Sequence, residues 1–444
     1  LGMEAAASVA GKGSADGGQA DKSSIDRGSI EKGSMEKDPT EKGSPAGASA
    51  ERDEFLRGSN QAGLRAHNER AVLSLIRRHG ELAKSEIARL SRLSPQTASV
   101  IMRSLEADGL VLAGEPRRGR VGQPSVPMRL NPDGAFALGL KFGRRTSEMV
   151  LMDFVGRVRE SRAILYRFPR RAEVMRFVEE ASVALRQSLS PAHRRRIVGL
   201  GVGMPFEIWS WGEANGAPPG EMEDWRSVDF GAELEQATGE AVFIANDVTA
   251  ACGAEQAFGT DVSANFVYFF VGAFVGGGIV MDGALIPGRL GNAGALGSMP
   301  VPTRLGDRRQ LIHVASIHVL ERMVEASGRS AVELWRRDAD WSDLGPLLDD
   351  WIEVAAEGLA YAIASSVSLY DFERAVIDGS FPPAVRARLV EATRRALAAF
   401  DFQGLLPVAV TEGSIGRSAR EVGSASLPFF AKFLLDHRVL LAER

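Results

Sequence analysis

From Asn131 onward the chain alternates between two periodicities. Eight short apolar runs, AFALGLKF, EMVLMDFV, IVGLGVGM, AVFIAND, NFVYFFVGAF, GGIVMDG, RAVIDGSF and LLPVAV, have the length and β-branched or aromatic content of strands. Between several of them lie stretches such as RRAEVMRFVEEASVALRQSL, whose apolar residues recur at helical spacing. Alternation of this kind folds as an α/β body of mixed sheets covered by helices. The 444 residues, 45% of them apolar, suffice for two or three domains. No uninterrupted apolar run approaches the ~18 residues of a membrane span, so no membrane partner is expected. Cys252 is the single cysteine, which excludes an internal disulfide and any cysteine-cluster zinc site. With no basic-then-apolar leader pattern at the start, a reducing cytoplasm is the expected location.

Upstream of the body, charge changes sign. Residues 61–130 hold twelve Lys and Arg against six Asp and Glu, while the whole chain has a net charge of −4. A basic module on an acidic body suits a nucleic-acid partner. NERAVLSLIRRHG (68–80) predicts a helix with Val72, Leu73 and Ile76 on one face and Gly80 as its stop. SEIARLSRLS predicts a second, short helix with Ile87 and Leu90 inward. Ser94 and Pro95 then stand as N-cap and first residue of a third, which buries Ala98, Ile101 and Leu105 and ends at Gly109. Ala83 stands where a Ser or Thr would complete a capping box with Glu86. The following segment, LVLAGEPRRGRVGQPSVPMRLNP, reads as two strands around an Arg/Gly/Pro loop. Three helices and a two-stranded wing make a winged helix-turn-helix.

The expected DNA-reading residues are Ser94, Gln96, Thr97, Ser99 and Arg103 on the third helix, with Arg117, Arg118, Arg120, Gly122 and Gln123 in the wing. Gln pairs with adenine, Arg with guanine, and hydroxyls bind phosphate; wing arginines suit a narrow minor groove. Residues 1–57 are rich in Gly, Ser, Lys, Asp and Glu, with a loose repeat (IDRGS, IEKGS, MEKDP, EKGS), and are expected to be a disordered tail. The expected divisions are thus 1–57, a DNA-binding domain at 58–131 and a body at 132–444.

Within the body, the hairpin GLKFGRRTSEMVLMDFVG (139–156) has the shape of a phosphate-holding loop, yet it offers Lys141, Arg144 and Arg145 rather than an acid. IVGLGVGMP, IANDVTAACGAEQAFG, VGAFVGGGIVMDG and NAGALGS follow in fixed order. Together with the winged helix, these motifs resemble the ROK family of repressors, open reading frames and sugar kinases. The likeness is to its transcriptional branch, which includes the xylose and N-acetylglucosamine repressors, and runs over residues 58–444. It implies a two-lobed, actin-like (ribonuclease H-like) body, and IGRSAREVGSASLPFF (415–430) resembles the family's closing helix.

In the family's kinases the first hairpin reads Asp-x-Gly-x-Thr and handles ATP phosphate and magnesium. Here the matching residues are Lys141, Phe142 and Gly143. An ammonium pairs with phosphate and repels magnesium; the plainer alternative is that Lys141 makes a surface salt bridge. The Gly-Thr-Gly run of the kinases is replaced by Gly272-Ala273-Phe274-Val275-Gly276, and their adenosine-side glycine pair by Asp378-Gly379. Phosphoryl transfer needs metal-bridged phosphates, so no catalytic residue is expected and neither ATP nor magnesium as cofactor.

Asn246-Asp247 matches the family pair that grips sugar hydroxyls, although on its own it is equally an N-cap for the helix that follows. Glu255 matches a family glutamate and, on spacing alone, is equally an ordinary exposed residue. The family's Ala-Gly-Glu-x-Gly-His reads Ala293-Gly294-Ala295-Leu296-Gly297-Ser298, and its cysteine run is replaced by TRLGDRRQLIHVASIHVLE, so no zinc is expected. His313 and His318 read as ordinary helix residues, their five-residue spacing being unsuited to one helix face. Trp209, Trp211 and Trp225 are placed either to stack on a sugar or to pack. The expectation is a homodimeric or larger homo-oligomeric repressor of carbohydrate genes on an inverted-repeat operator, with a sugar or sugar phosphate as effector. A body that only dimerises, or an active kinase fused to a DNA-binding head, are the alternatives.

Overall fold

The computed structural model describes residues 48–116, 126–205, 208, 217–218, 220–226, 228–260, 263–336 and 338–434. Arg117, Arg118, Arg120, Gly122 and Gln123 of the wing, and Trp209 and Trp211, lie outside the described residues. The chain divides at Gly58: below it only the opening of the first helix is described, and residues from Ser59 onward form a compact unit of their own.

The first helix, α1 (Ala48–His79), starts upstream of the expected Asn68. Gly80, at φ 77°, ends α1. Strand β1 (Glu81–Ala83), α2 (Lys84–Ser91) and α3 (Pro95–Ala107) follow, then β2 (Val111–Ala113) and β3 (Pro127–Leu130). The sheet is three-stranded, in the order β1-β3-β2, rather than the expected two. The extra strand is a three-residue piece, too short to show a period of two. Ser94 accepts a hydrogen bond from the Thr97 N–H at 3.1 Å with Pro95 as the first helical residue of α3. Glu86 accepts from the Ala83 N–H at 2.8 Å, which supplies half of a capping box.

The body has two sheets. The first runs β6-β5-β4-β7-β8, from β4 (Phe136–Phe142), β5 (Thr146–Asp153), β6 (Val158–Leu165), β7 (Ile197–Met204) and β8 (Val242–Asn246). The second runs β11-β10-β9-β14-β15, from β9 (Phe266–Val271), β10 (Val275–Met281), β11 (Ala284–Leu285), β14 (Arg374–Gly379) and β15 (Ala409–Glu412), with β12 (Pro300–Pro302) and β13 (Arg308–Gln310) paired in a small sheet of their own. Edge strand β6 escapes the sequence reading because it is largely exposed and charged. β15 starts at Ala409, beyond most of the expected LLPVAV run, in parallel register with β14.

Helices fill three layers around these sheets. Phe136, Leu138, Leu140 and Phe142 pack toward α4 (Arg171–Gln187) and α5 (Phe230–Thr238). The opposite face of β4 and β5 meets α6 (Asp247–Phe258) and the closing helix, α10 (Ala419–Lys432), and these two also receive Phe266, Tyr268 and Phe270 of the second sheet. The outer face of the second sheet packs on α7 (Ile317–Ala326), α8 (Pro346–Leu369) and α9 (Pro383–Leu397). Among the described residues α8 alone has the length and apolar content of a membrane span. Its Leu348, Trp351, Ile352, Leu359 and Ile363 are buried against the sheet and its helix neighbours, as in a core helix.

The central layer is fixed by backbone contact. A Cβ on Gly201 of β7 would lie 1.7 Å from the Ser424 carbonyl oxygen, and one on Gly423 would lie 2.3 Å from that of Ala250. The winged module is continuous with this layer: Val72, Ile76, Ile101 and Leu105 share one apolar core with Phe154, Ala250 and Phe429. We predict that Gly201→Ala lowers folding stability by about 3 kcal/mol, read as a lower urea midpoint. An unchanged midpoint contradicts the close packing.

Candidate functional site

Two surfaces carry chemistry. The first is α3. Its inner face is sealed by Ala98, Ile101, Met102 and Leu105. Gln96, Thr97 and Arg103 are exposed and Ser99 is half-buried. Ser94 is spent as a cap, its hydroxyl 2.8 Å from that of Thr97. The Arg103 Nε donates to the Ser99 carbonyl at 3.3 Å, which lays the side chain along the helix. Val100, which the sequence reading passed over, is 51% exposed in the middle of this polar row. Its position four residues after Gln96 and three before Arg103 was the available signal. An exposed branched side chain there suits a thymine methyl.

The second surface is a cavity of about 280 Å³ between the lobes, lined by Arg144, Asn246, Asp247, Phe274, Ala295, Ser298 and Arg420 among others. The Asn246 Oδ1 accepts from the backbone N–H groups of Val248 and Thr249 at 3.1 and 3.0 Å, so this residue caps α6 and lines the cavity at once. Asp247 is 5% exposed, and its Oδ2 accepts from the Arg420 Nη1 at 3.1 Å. Arg420 also donates to the Ser380 hydroxyl at 3.0 Å and lies 4.8 Å from the Phe270 ring centre.

Glu255 is neither in this cavity nor exposed. It is 1% exposed, and its carboxylate accepts from the Ser414 N–H at 3.0 and 3.1 Å and from the Ser414 hydroxyl at 2.9 Å. Two turns of helix carry it away from the Asn246 end. Trp225 is a core anchor, its ring centre 4.6 Å from that of Phe142 and its Nε1 donating to the Pro169 carbonyl at 3.0 Å.

The hairpin cations are not at the surface. Lys141 is 2% exposed, donates to the Thr146 carbonyl at 3.3 Å and sits 3.6 Å from Glu148. Its expected surface salt bridge is therefore a buried one, because β4 is covered on both faces. Burial and nearby Arg420 hold its pKa below the ordinary lysine value. Arg144 and Arg145 reach across to Glu321 on α7, at 3.3 and 2.7 Å. Glu321 also meets the His318 Nδ1 at 3.0 Å and accepts from the Trp335 Nε1 at 3.1 Å. Arg144 lies 5.1 Å from the Phe274 ring centre. The loop thus clasps the two lobes. Beside it remains a cavity of about 50 Å³, far below the several hundred Å³ of an ordinary ligand pocket.

The Asp378-Gly379 end is packed as well. A Cβ on Gly379 would lie 2.5 Å from the Phe381 ring. Asp378 is fully buried between Arg386 at 3.2 Å and the Gly416 N–H at 3.0 Å, and burial raises its pKa to about 6. Among the described residues, no three His, Cys, Asp or Glu side chains are grouped to hold a metal ion.

Polar contacts join the head to the body as well. The Arg77 Nη1 of α1 donates to the Ala257 carbonyl, and its guanidinium lies 5.3 Å from the Phe258 ring centre, both at the far end of α6. At the end of α3, the Gly109 carbonyl accepts from the Asn131 Nδ2 at 2.7 Å and the Arg196 Nη1 at 3.4 Å. A space of about 860 Å³ lies between the two parts. Helix α6 therefore starts in the cleft and ends on the head.

The family model described as the ROK family matches residues 137–427. The chain belongs to the ROK family. A second model, winged helix-turn-helix DNA-binding, matches residues 65–111. This ROK protein is 27% identical over 381 residues to an uncharacterised protein of Sinorhizobium fredii, covering 82% of this chain and 91% of that one. It is 24% identical over 370 residues to the DNA-binding transcriptional dual regulator NagC of Escherichia coli, covering 78% and 88% of the two chains. A putative xylose repressor of Caldicellulosiruptor is 26% identical over 54% of this chain and 60% of its own length. The fold is shared with a ROK family transcriptional regulator described as a homologue of the Escherichia coli Mlc protein (TM-score 0.59, 22% identity, 83% of this chain and 97% of that one). It is shared also with a ROK glucokinase of Streptomyces griseus solved with glucose and AMPPNP (TM-score 0.51, 20% identity, 66% and 99%).

Glu421, which lines the small cavity beside the hairpin, gives this ROK protein a pH signature. It is 2% exposed, and burial together with Glu148 raises its pKa from 4.5 to about 7. A carboxylate harder to ionise in the folded chain favours folding below its unfolded value, and that contribution is lost as pH rises through about 7. Glu421→Gln removes this term. Urea midpoints of both proteins at about pH 5 and about pH 8 should show the wild type losing ground to the variant at the higher pH. A constant difference contradicts the assignment.

Proposed function

We propose that this ROK protein is a transcriptional regulator, a repressor of carbohydrate-metabolism genes, whose interlobe cleft binds a sugar or sugar phosphate and whose body performs no phosphoryl transfer. The observation that carries it is the outward row Gln96, Thr97, Val100 and Arg103 on a helix with a sealed inner face. Such a row supplies base-edge donors and a methyl contact in a major groove. The DNA-binding and repressor names of its relatives support the same reading. Two copies on an inverted repeat form the expected assembly, since each head reads one half-site. The site of action is the cytoplasm.

Against kinase chemistry stand two features of the chain itself. The hairpin holds Lys141 where the kinases hold an acid, and Phe381 packs at the Asp378-Gly379 end. No zinc, ATP or magnesium is proposed as cofactor. Effector binding is proposed to act through α6: a ligand at Asn246 and Asp247 biases one position of the helix, and Ala257 and Phe258 pass it to Arg77. This requires unequal affinity for two arrangements of the cleft.

Three measurements test the reading. Selection from random duplex DNA with the full chain should recover an inverted repeat, and Arg103→Ala should weaken its binding about tenfold. Failure to enrich any sequence, or indifference to both Arg103→Ala and Gln96→Ala, removes the DNA-reading assignment. Arg77→Ala should keep operator affinity within a few-fold and reduce the effector-induced change; an unaltered effector response refutes the α6 route. Asp247-dependent ATP consumption in the presence of a sugar overturns the non-kinase reading.

A further inference from the structure

The charges that line the cleft do not balance. Arg144 enters from the hairpin and Arg420 from α10, while Asp247 is the one carboxylate among the described lining residues. That carboxylate is already engaged by Arg420 at 3.1 Å. Where the resemblance calls for a Glu and a His, Ala295 provides no polar group and Ser298 a neutral hydroxyl, so neither brings charge. A neutral sugar is recognised by acceptors and donors in pairs. This cleft instead has its acidic acceptor occupied and guanidinium donors in excess. Both arginines keep a buried Nε–H without a hydrogen-bond partner. A buried cation that lacks a full partner is costly, and a planar carboxylate matches a guanidinium in two parallel hydrogen bonds.

We propose that the effector is a sugar acid, a monosaccharide carrying one carboxylate, which docks on Arg144 and Arg420. This rests on the reading of the cleft as an effector site and narrows it. Counting the groups these arginines engage, Arg144, Arg145 and Arg420 stand against Glu321 and Asp247, which leaves one positive charge for a monoanion to cancel and a phosphate dianion to overshoot. About 280 Å³ is at the small end of ligand pockets and fits a single ring. Burial lowers the Arg144 pKa to about 10 against the opposing pull of Glu321, so its charge is held out of water beside the cavity. Binding also has a structural consequence. The ligand carboxylate competes with Glu321 for Arg144, which bears on the clasp between lobes, and with Asp247 for Arg420, which bears on the start of α6.

The test is calorimetry on the full chain with matched sets: glucose, glucuronate, gluconate and glucose 6-phosphate, and the same set built on galactose, mannose and xylose. The expected result is a sugar acid that binds at least about tenfold tighter than its neutral parent and its phosphate, a difference of about 1.4 kcal/mol. Arg144→Gln and Arg420→Gln should each reduce that affinity about tenfold, and Arg144→Lys should reduce it less than Arg144→Gln. Should a glutamine variant fail to fold, the acid-to-parent ratio in the wild type and its loss at high salt decide the matter. A neutral sugar that binds as tightly as its acid, or a phosphate that binds where no acid does, overturns this proposal and leaves the sensing cleft standing. Absence of heat with every compound removes both.

Discussion

Backbone-to-backbone contact around α10 is the constraint on which the cleft depends. The helix lies between the two sheets, and it fits there because β7 and the helix itself carry glycine at the points of closest approach, Gly201 against Ser424 and Gly423 against Ala250. Interiors at this density tolerate little displacement. The position of α10 in turn places Arg420 on Asp247 and Glu421 near Lys141 and Glu148. A helix that touched the sheet only through side chains would hold these charges less exactly in register with the start of α6.

Loss of the acid from the first hairpin is answered by a change of partner. Lys141 stays within its own hairpin, bonded to Thr146, whereas Arg144 and Arg145 span the cleft to a single carboxylate. Glu321 then gathers two guanidinia, an imidazole and an indole N–H at one point, almost wholly out of water. Buried ion pairs of this sort add little net stability relative to apolar packing, yet removing one member leaves the others uncompensated. Their effect is to fix how the lobes meet. In this ROK protein the hairpin is thus a clasp between the lobes.

The head is not a loosely tethered module. Its helices share an apolar core with α10 and the first sheet, and Gly109, where α3 ends, is held by Asn131 and Arg196. These contacts join α3 to the first sheet and to α10 without an intervening linker.

Local chemistry was legible in the sequence. Ser94 and Pro95 announced α3, Asn246 announced α6, and alternation announced the central strands. Each of these depends on neighbours within a few residues, where periodicity and capping act. What the tertiary structure alone decided was partnership across the chain. Glu321 sits 176 residues from Arg145 and Arg420 sits 173 from Asp247, and no local period links them. For the same reason Glu255 looked exposed or sugar-facing until the turn at Ser414 was seen to occupy it, and Lys141 looked superficial until both faces of β4 were covered. Sequence determined which charges the cleft would contain; packing determined which of them are already spoken for.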